Sequence, residues 1–280
     1  SACRYHVYYY YGDLIHSSAD LLLFPYLVLT SGHALLLSKD MQSGIVFEKQ
    51  DTLKFFHQMY DRYLEQVSSF GVVMNNLPTQ LSYFHNIRAD MEQNYCFQML
   101  PCLTFGIPDY FFDKDIYPEI PSRDKLIAML MDYVHSIRKR FTEHPVRFIF
   151  SEDGLQRFLE TGRIPEYPPA VYRPFELSDR IVLIRQFLKF CPPNGLCMLK
   201  CTIGDLDNEL FMYVNPRNGY LMFPSSEPDQ LICLDITEPG LLHGFCDFCE
   251  HLDKDLFYTE TEAYSLISSL LDKTEQKKGS

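Results

Sequence analysis

Apolar and polar positions first fall into a regular pattern between Gly32 and Val67. Ala34–Leu37 and Ile45–Phe47 read as two short buried strands around a polar break at Asp40–Gly44. Beyond Asp51 and Thr52, either of which is predicted to cap a helix, Leu53, Phe56, Met59, Tyr60, Tyr63, Leu64 and Val67 recur at helical spacing. Lys54, Asp61, Arg62 and Glu65 occupy the other face. A ββα unit is expected here. A looser copy follows 187 positions later, in Gly219–Leu252, with Leu35 aligned on Met222, Leu36 on Phe223, Ile45 on Ile232 and Phe47 on Leu234. A one-residue shift then brings Leu53 onto Leu241. The pattern suggests a duplicated unit.

The remaining segments alternate in type. Tyr5–Tyr11 is a β-prone aromatic run closed by Gly12-Asp13, and residues 13–29 are apolar enough to pack as helix or strand. Helices are predicted over 79–93, 123–141 (capped by Ser122), 152–161 (opened by Ser151 and closed by Gly162), 176–190 and 262–271. Thr237 is predicted to cap another, with Pro239 in its first turn. Strands are predicted over 95–100, 146–150, 197–203, 210–214, 220–223 and 231–234, with Pro216–Gly219 as a hairpin turn. The stretch 104–121 reads as loop, and 274–280 as a frayed charged end. Residues 165–174 are the richest in proline and form the best linker candidate. They divide the chain into a first α/β lobe, 1–165, and a second, 175–280, unless the two pack as one domain. The fold class expected is α/β, with mixed sheets flanked by helices and pseudo-duplicated ββα-containing lobes.

Bulk properties narrow the function. A chain of 280 residues with 46% hydrophobic and 22% charged residues buries a sizeable core. A net charge of -12 argues against direct nucleic-acid binding. The densest basic run, Arg138-Lys139-Arg140, ends a predicted helix, where cations favour the dipole. Leu21–Leu29, broken by Pro25, is too short to span a membrane. Nine irregularly spaced cysteines suit reduced thiols and a cytoplasmic setting. The aromatic share of 15% serves a core and, for a few rings, a ligand pocket.

Local motifs for nucleotide binding, zinc proteolysis and serine hydrolysis are absent from the sequence, as is an HxK core, so no cofactor is expected. His243, Cys246 and Cys249 share a predicted helical face and, with Cys197, Cys201 or His251, have the donor types for zinc. Mid-helix cysteines are more often small core residues, and that assignment is preferred. Asp109/Asp113/Asp115 and Asp205/Asp207/Glu209 lack calcium-loop spacing and read as solvated surface. Arg147 is different: it lies inside an apolar strand, where a partly buried guanidinium needs an anionic partner, either an internal carboxylate or a ligand. With Arg88 and Tyr95, at the neighbouring predicted helix and strand, it forms the candidate ligand-binding set. An enzyme with a dispersed thiol or acid–base site is the main alternative.

Two stretches, LLLSKDMQSGIVFEKQDTLKFFHQMYDRYLEQ and FIFSEDGLQRFLETGRIPEYPP, together resemble the C-terminal effector regions of bacterial, mainly clostridial-type, helix-turn-helix transcriptional regulators. Some such regions are similar to phospholipase-D-like folds without catalytic residues. The resemblance implies a ligand-sensing, homo-oligomeric α/β domain preceded by a DNA-binding part. Ser1-Ala2 fits that expectation as a remnant ahead of a domain cut from a longer protein. No site residue carries over from the resemblance.

Overall fold

The ββα pattern folds where the periodicity places it. The computed structural model describes residues 8–10, 24–69, 71–203, 210–224 and 231–279. Two compact units divide at Phe70 and Gly71. In the first, β1 (Tyr8–Tyr9) pairs with a late strand, while β2 (Tyr26–Leu29), β3 (Ala34–Leu37) and β4 (Gly44–Phe47) form an antiparallel sheet backed by α1 (Gln50–Leu64). The partner of β1 is β5 (Ser68–Ser69). Ala34, Leu53 and Phe56 are the buried centre, and Leu27, Leu29, Leu36, Phe47 and Met59 pack around them. The predicted cap is corrected: Lys49 occupies the cap position without a side-chain bond, and Asp51 sits in the first turn. Tyr60 and Tyr63, expected on the apolar face, are exposed.

The second unit is built on a seven-stranded mixed sheet. Its elements are β6 (Val73–Met74), α2 (Leu77–Asn86), β7 (Tyr95–Gln98), α3 (Tyr110–Asp115), α4 (Arg123–Glu143), β8 (Arg147–Ser151), α5 (Glu152–Thr161), α6 (Leu177–Phe190), β9 (Leu196–Leu199), β10 (Phe211–Val214), β11 (Gly219–Pro224), β12 (Leu231–Ile236), α7 (Pro239–Glu250) and α8 (Glu260–Gly279). The order is β6-β12-β11-β10-β7-β8-β9, with β7, β8 and β9 parallel and the others antiparallel. Parallel neighbours need helical crossovers, and α4 and α5–α6 supply them. Strand alternation sends Cys96, Phe148, Phe150, Leu196 and Met198 into the larger core with α2, α4, α6 and α8. Tyr95, Phe97, Ile149 and Leu199 face the other way, onto Leu242, Cys246 and Cys249 of α7.

Residues 165–174 do not separate domains. The strands before and after them share one sheet, and the segment is pinned: Tyr117 N–H donates to Val171 O at 3.1 Å, and Arg173 N–H to Asp115 O at 2.8 Å. The expected lobes 1–165 and 175–280 are therefore replaced by the two units. The two hairpins expected to be copies share one register. Leu35 pairs with Val46 in the first hairpin, and Met222 with Cys233 in the second, so both hairpins keep one register under the same offset. Several boundaries move. The helix predicted to run to 93 ends at Asn86, because Ile87 turns extended. Glu238, not Thr237, caps α7, accepting from Gly240 N–H and Leu241 N–H. The stretch 104–121 contains α3, and α8 continues to Gly279.

Candidate ligand-binding cleft

Strand register brings two of the three sequence-predicted residues together. Tyr95 of β7 lies opposite Arg147 of β8, at the amino-terminal ends of the parallel strands. Both point to the α7 side of the sheet, and the Arg147 guanidinium lies 5.7 Å from the Tyr95 ring centroid. Arg88 is apart from them: its side chain is exposed, and its carbonyl accepts from Asn215 and Asn218 of the β10–β11 turn.

A cleft of about 250 Å³ opens at this edge, lined by Glu92, Gln93, Asn94, Tyr95, Pro145, Val146, Arg147, Pro193 and Asn194. Its walls are fixed locally. Asp90 Oδ1 accepts from Glu92 N–H at 3.0 Å and Gln93 N–H at 3.2 Å, which folds the 90–94 loop. Asn94 locks that loop to the sheet. Its Nδ2 donates to Asp90 O and Pro145 O, and its Oδ1 accepts from Tyr213 OH at 2.9 Å. The opposite wall is the Pro192–Gly195 turn, with Asn194 at φ 60°. A side chain at Gly195 would meet Val146 O at 2.7 Å, so glycine lets the turn press against β8.

Electrostatics set Arg147 apart. Among the described residues it has no ion-pair partner, and unlike Arg138, Arg140, Arg163 and Arg180, which also lack one, its side chain donates to no backbone carbonyl. Burial alone would lower the Arg147 pKa, yet the Cys197 thiol and the Tyr95 hydroxyl hold it above its ordinary value. The guanidinium is therefore a fixed positive charge in the cleft lining, held beside Cys197 and Tyr95. Glu92, on the facing loop, is exposed and likewise unpaired among the described residues. Glu250, at the end of α7, accepts from Gln93 at 3.2 Å.

The other sequence candidates are structural. Cys246 and Cys249 are buried against the sheet, and burial pushes their thiols up to about 11 and about 12. Both thiols pack with Tyr95, Phe97 and Ile149 on that face of the sheet. His243 is exposed, with Nδ1 2.7 Å from Pro239 O. Among the described residues no group of three or more His, Cys, Asp or Glu converges. Asp109 contacts His135 at 2.8 Å, Asp113 lies 3.7 Å from Arg123, and Asp115 is buried. Asp205, Asp207 and Glu209 lie outside the described residues. The basic run is structural as well: Arg138 donates to Phe105 O and Ile107 O, and Arg140 to Phe84 O.

One group escaped the sequence entirely. At the carboxyl end of β7, Gln98, Thr104, Glu166 and Tyr167 are buried with side-chain polar atoms that meet no partner in hydrogen-bond geometry. Burial pushes the Glu166 carboxyl up to about 7, opposed by its own backbone N–H and by Gln98, Cys102 and Thr104, which face it. Asp115 is also raised by burial, to about 6, and lines a cavity of about 20 Å³ with Tyr167, Phe111 and Phe175. That volume holds one water molecule, not a ligand. Glu166 stands within Pro165–Pro174, whose prolines mask a buried segment as a linker; its flanking Ile164 and Tyr167 were the available signal.

Comparison with family models, curated proteins and solved structures finds no match for this chain.

Proposed function

We propose that the chain is a non-catalytic, ligand-sensing domain of a cytoplasmic transcriptional regulator, with its small-molecule ligand held in the Arg147 cleft. The observation that carries the binding reading is Arg147 itself. A partly buried guanidinium lacking an internal carboxylate, beside an open space, suits an incoming acceptor. The lining offers a guanidinium, a phenol, amides and one carboxylate, a set that orients a ligand rather than attacking one. The regulator context is supported by the resemblance of the two quoted stretches. A homo-oligomer is supported by the apolar side chains exposed in the first unit, among them Val28, Val46, Phe55 and Tyr63.

The observation favouring an acid–base enzyme is Glu166, whose pKa of about 7 suits proton transfer. Its side chain is closed off at 4% exposure, so binding is the better-supported reading. Arginine-selective labelling tests it: a small-molecule extract of cells should protect Arg147 while leaving exposed Arg88 reactive. Equal labelling of Arg147 with and without extract would sink the proposal.

A further inference from the structure

Resting on the ligand-binding reading, we infer that the cleft takes a zwitterionic α-amino acid, its carboxylate on Arg147 and its ammonium on Glu92. Arg147 and Glu92 line the same opening, carry opposite charge, and form no ion pair with each other or with any described residue. Two unpaired opposite charges facing one space are complementary to a ligand that carries both.

The surroundings decide against a simple anion. The helices α4 and α6 end shortly before lining residues, at Glu143 and Phe190, and α7 ends at Glu250, which is bonded to the lining residue Gln93. Three carboxyl-terminal helix ends turned toward one edge present negative partial charge. Glu92 and Glu250 add two carboxylates, so a phosphate dianion would meet repulsion that one guanidinium does not offset. A monocarboxylate balances Arg147, and the negative rim then favours an ammonium group on the same molecule. The volume, about 250 Å³, lies below the roughly 300–1,000 Å³ of pockets for larger ligands. Pro145 and Pro193 supply apolar wall for a side chain.

Calorimetry at constant ionic strength tests this on the whole chain with L-alanine, L-valine, L-leucine and L-phenylalanine, their amides, their N-acetyl derivatives and inorganic phosphate. At least one free amino acid should bind saturably. Its amide and its N-acetyl form should each bind about tenfold more weakly or worse, and phosphate should not compete. Arg147→Met should erase the preference for acid over amide, and Glu92→Gln the preference for free over acetylated amine. Glu92 is exposed, so its variant remains informative if Arg147→Met fails to fold. A positioning role in folding alone would leave both preferences intact. The inference is overturned if no amino acid binds, or if the amide matches the acid in the native chain. If, in that case, cell extract still protects Arg147, the cleft binds another class of ligand and only the amino-acid assignment fails. Without protection, the binding reading fails too.

Discussion

Glu166→Gln isolates the energetic consequence of burying a carboxyl without an ion-pair partner among the described residues. An unfolded glutamate titrates at 4.5, and the folded one at about 7. Between those values the folded state binds the extra proton, so stability is full below pH 4.5 and falls as pH rises through 7. The interval corresponds to about 3 kcal/mol at most, at 1.36 kcal/mol per pH unit. Glutamine keeps the shape and cannot ionise. The variant should therefore match the native chain at pH 4 and exceed it by up to about 3 kcal/mol at pH 8.5, which is roughly 5–10 °C in Tm for a unit of this size. Asp115, raised to about 6, titrates in both proteins and cancels from the difference. The chain has no Trp, so urea unfolding followed by far-ultraviolet circular dichroism is the suitable assay. A difference that does not change with pH, or a variant less stable at pH 8.5, would refute the reasoning.

Other consequences are checked on the same footing. Ser151→Ala removes the cap on Gly154 N–H at 3.0 Å and a bond to Met99 O at 3.1 Å, and should lower unfolding free energy by about 1–2 kcal/mol in urea titration. Gly154→Ala should cost roughly 3 kcal/mol or more, since the added carbon would lie 1.8 Å from Met99 O and force α5 off the end of β7. Alkylation at pH 8 mapped by peptide mass spectrometry should label exposed Cys201 and spare Cys246 and Cys249, and a chelator should leave Tm unchanged.

Much of the fold is legible in residue order because local physics dominates where a helix or strand has one buried face. The Ser151 cap of α5 is written in a hydroxyl that accepts from Gly154 N–H, and its stop in the left-handed backbone that Gly162 adopts. Arg147 inside an apolar strand is legible for the same reason. Its neighbour Tyr95 becomes a partner only through the register of β7 and β8, which no local pattern encodes. Proline density signals extended backbone and not exposure, so it suggests a linker at 165–174 where the chain is packed: Tyr172, near the end of that stretch, is buried and both accepts from Ile164 N–H and donates to Ile164 O. The same prolines conceal Glu166, which lies between Pro165 and Pro168. Glu238 takes the cap position in place of Thr237, and its carboxylate reaches two backbone N–H groups at once.

A small molecule held in the Arg147 cleft travels with the protein through gentle ionisation. Native mass spectrometry of the chain equilibrated with a small-molecule cell extract tests it most directly, comparing the native protein with a folded Arg147→Met variant. A discrete bound mass is expected on the native chain and is lost or greatly reduced in the variant. No bound mass, or the same bound mass at equal occupancy in both proteins, would contradict it.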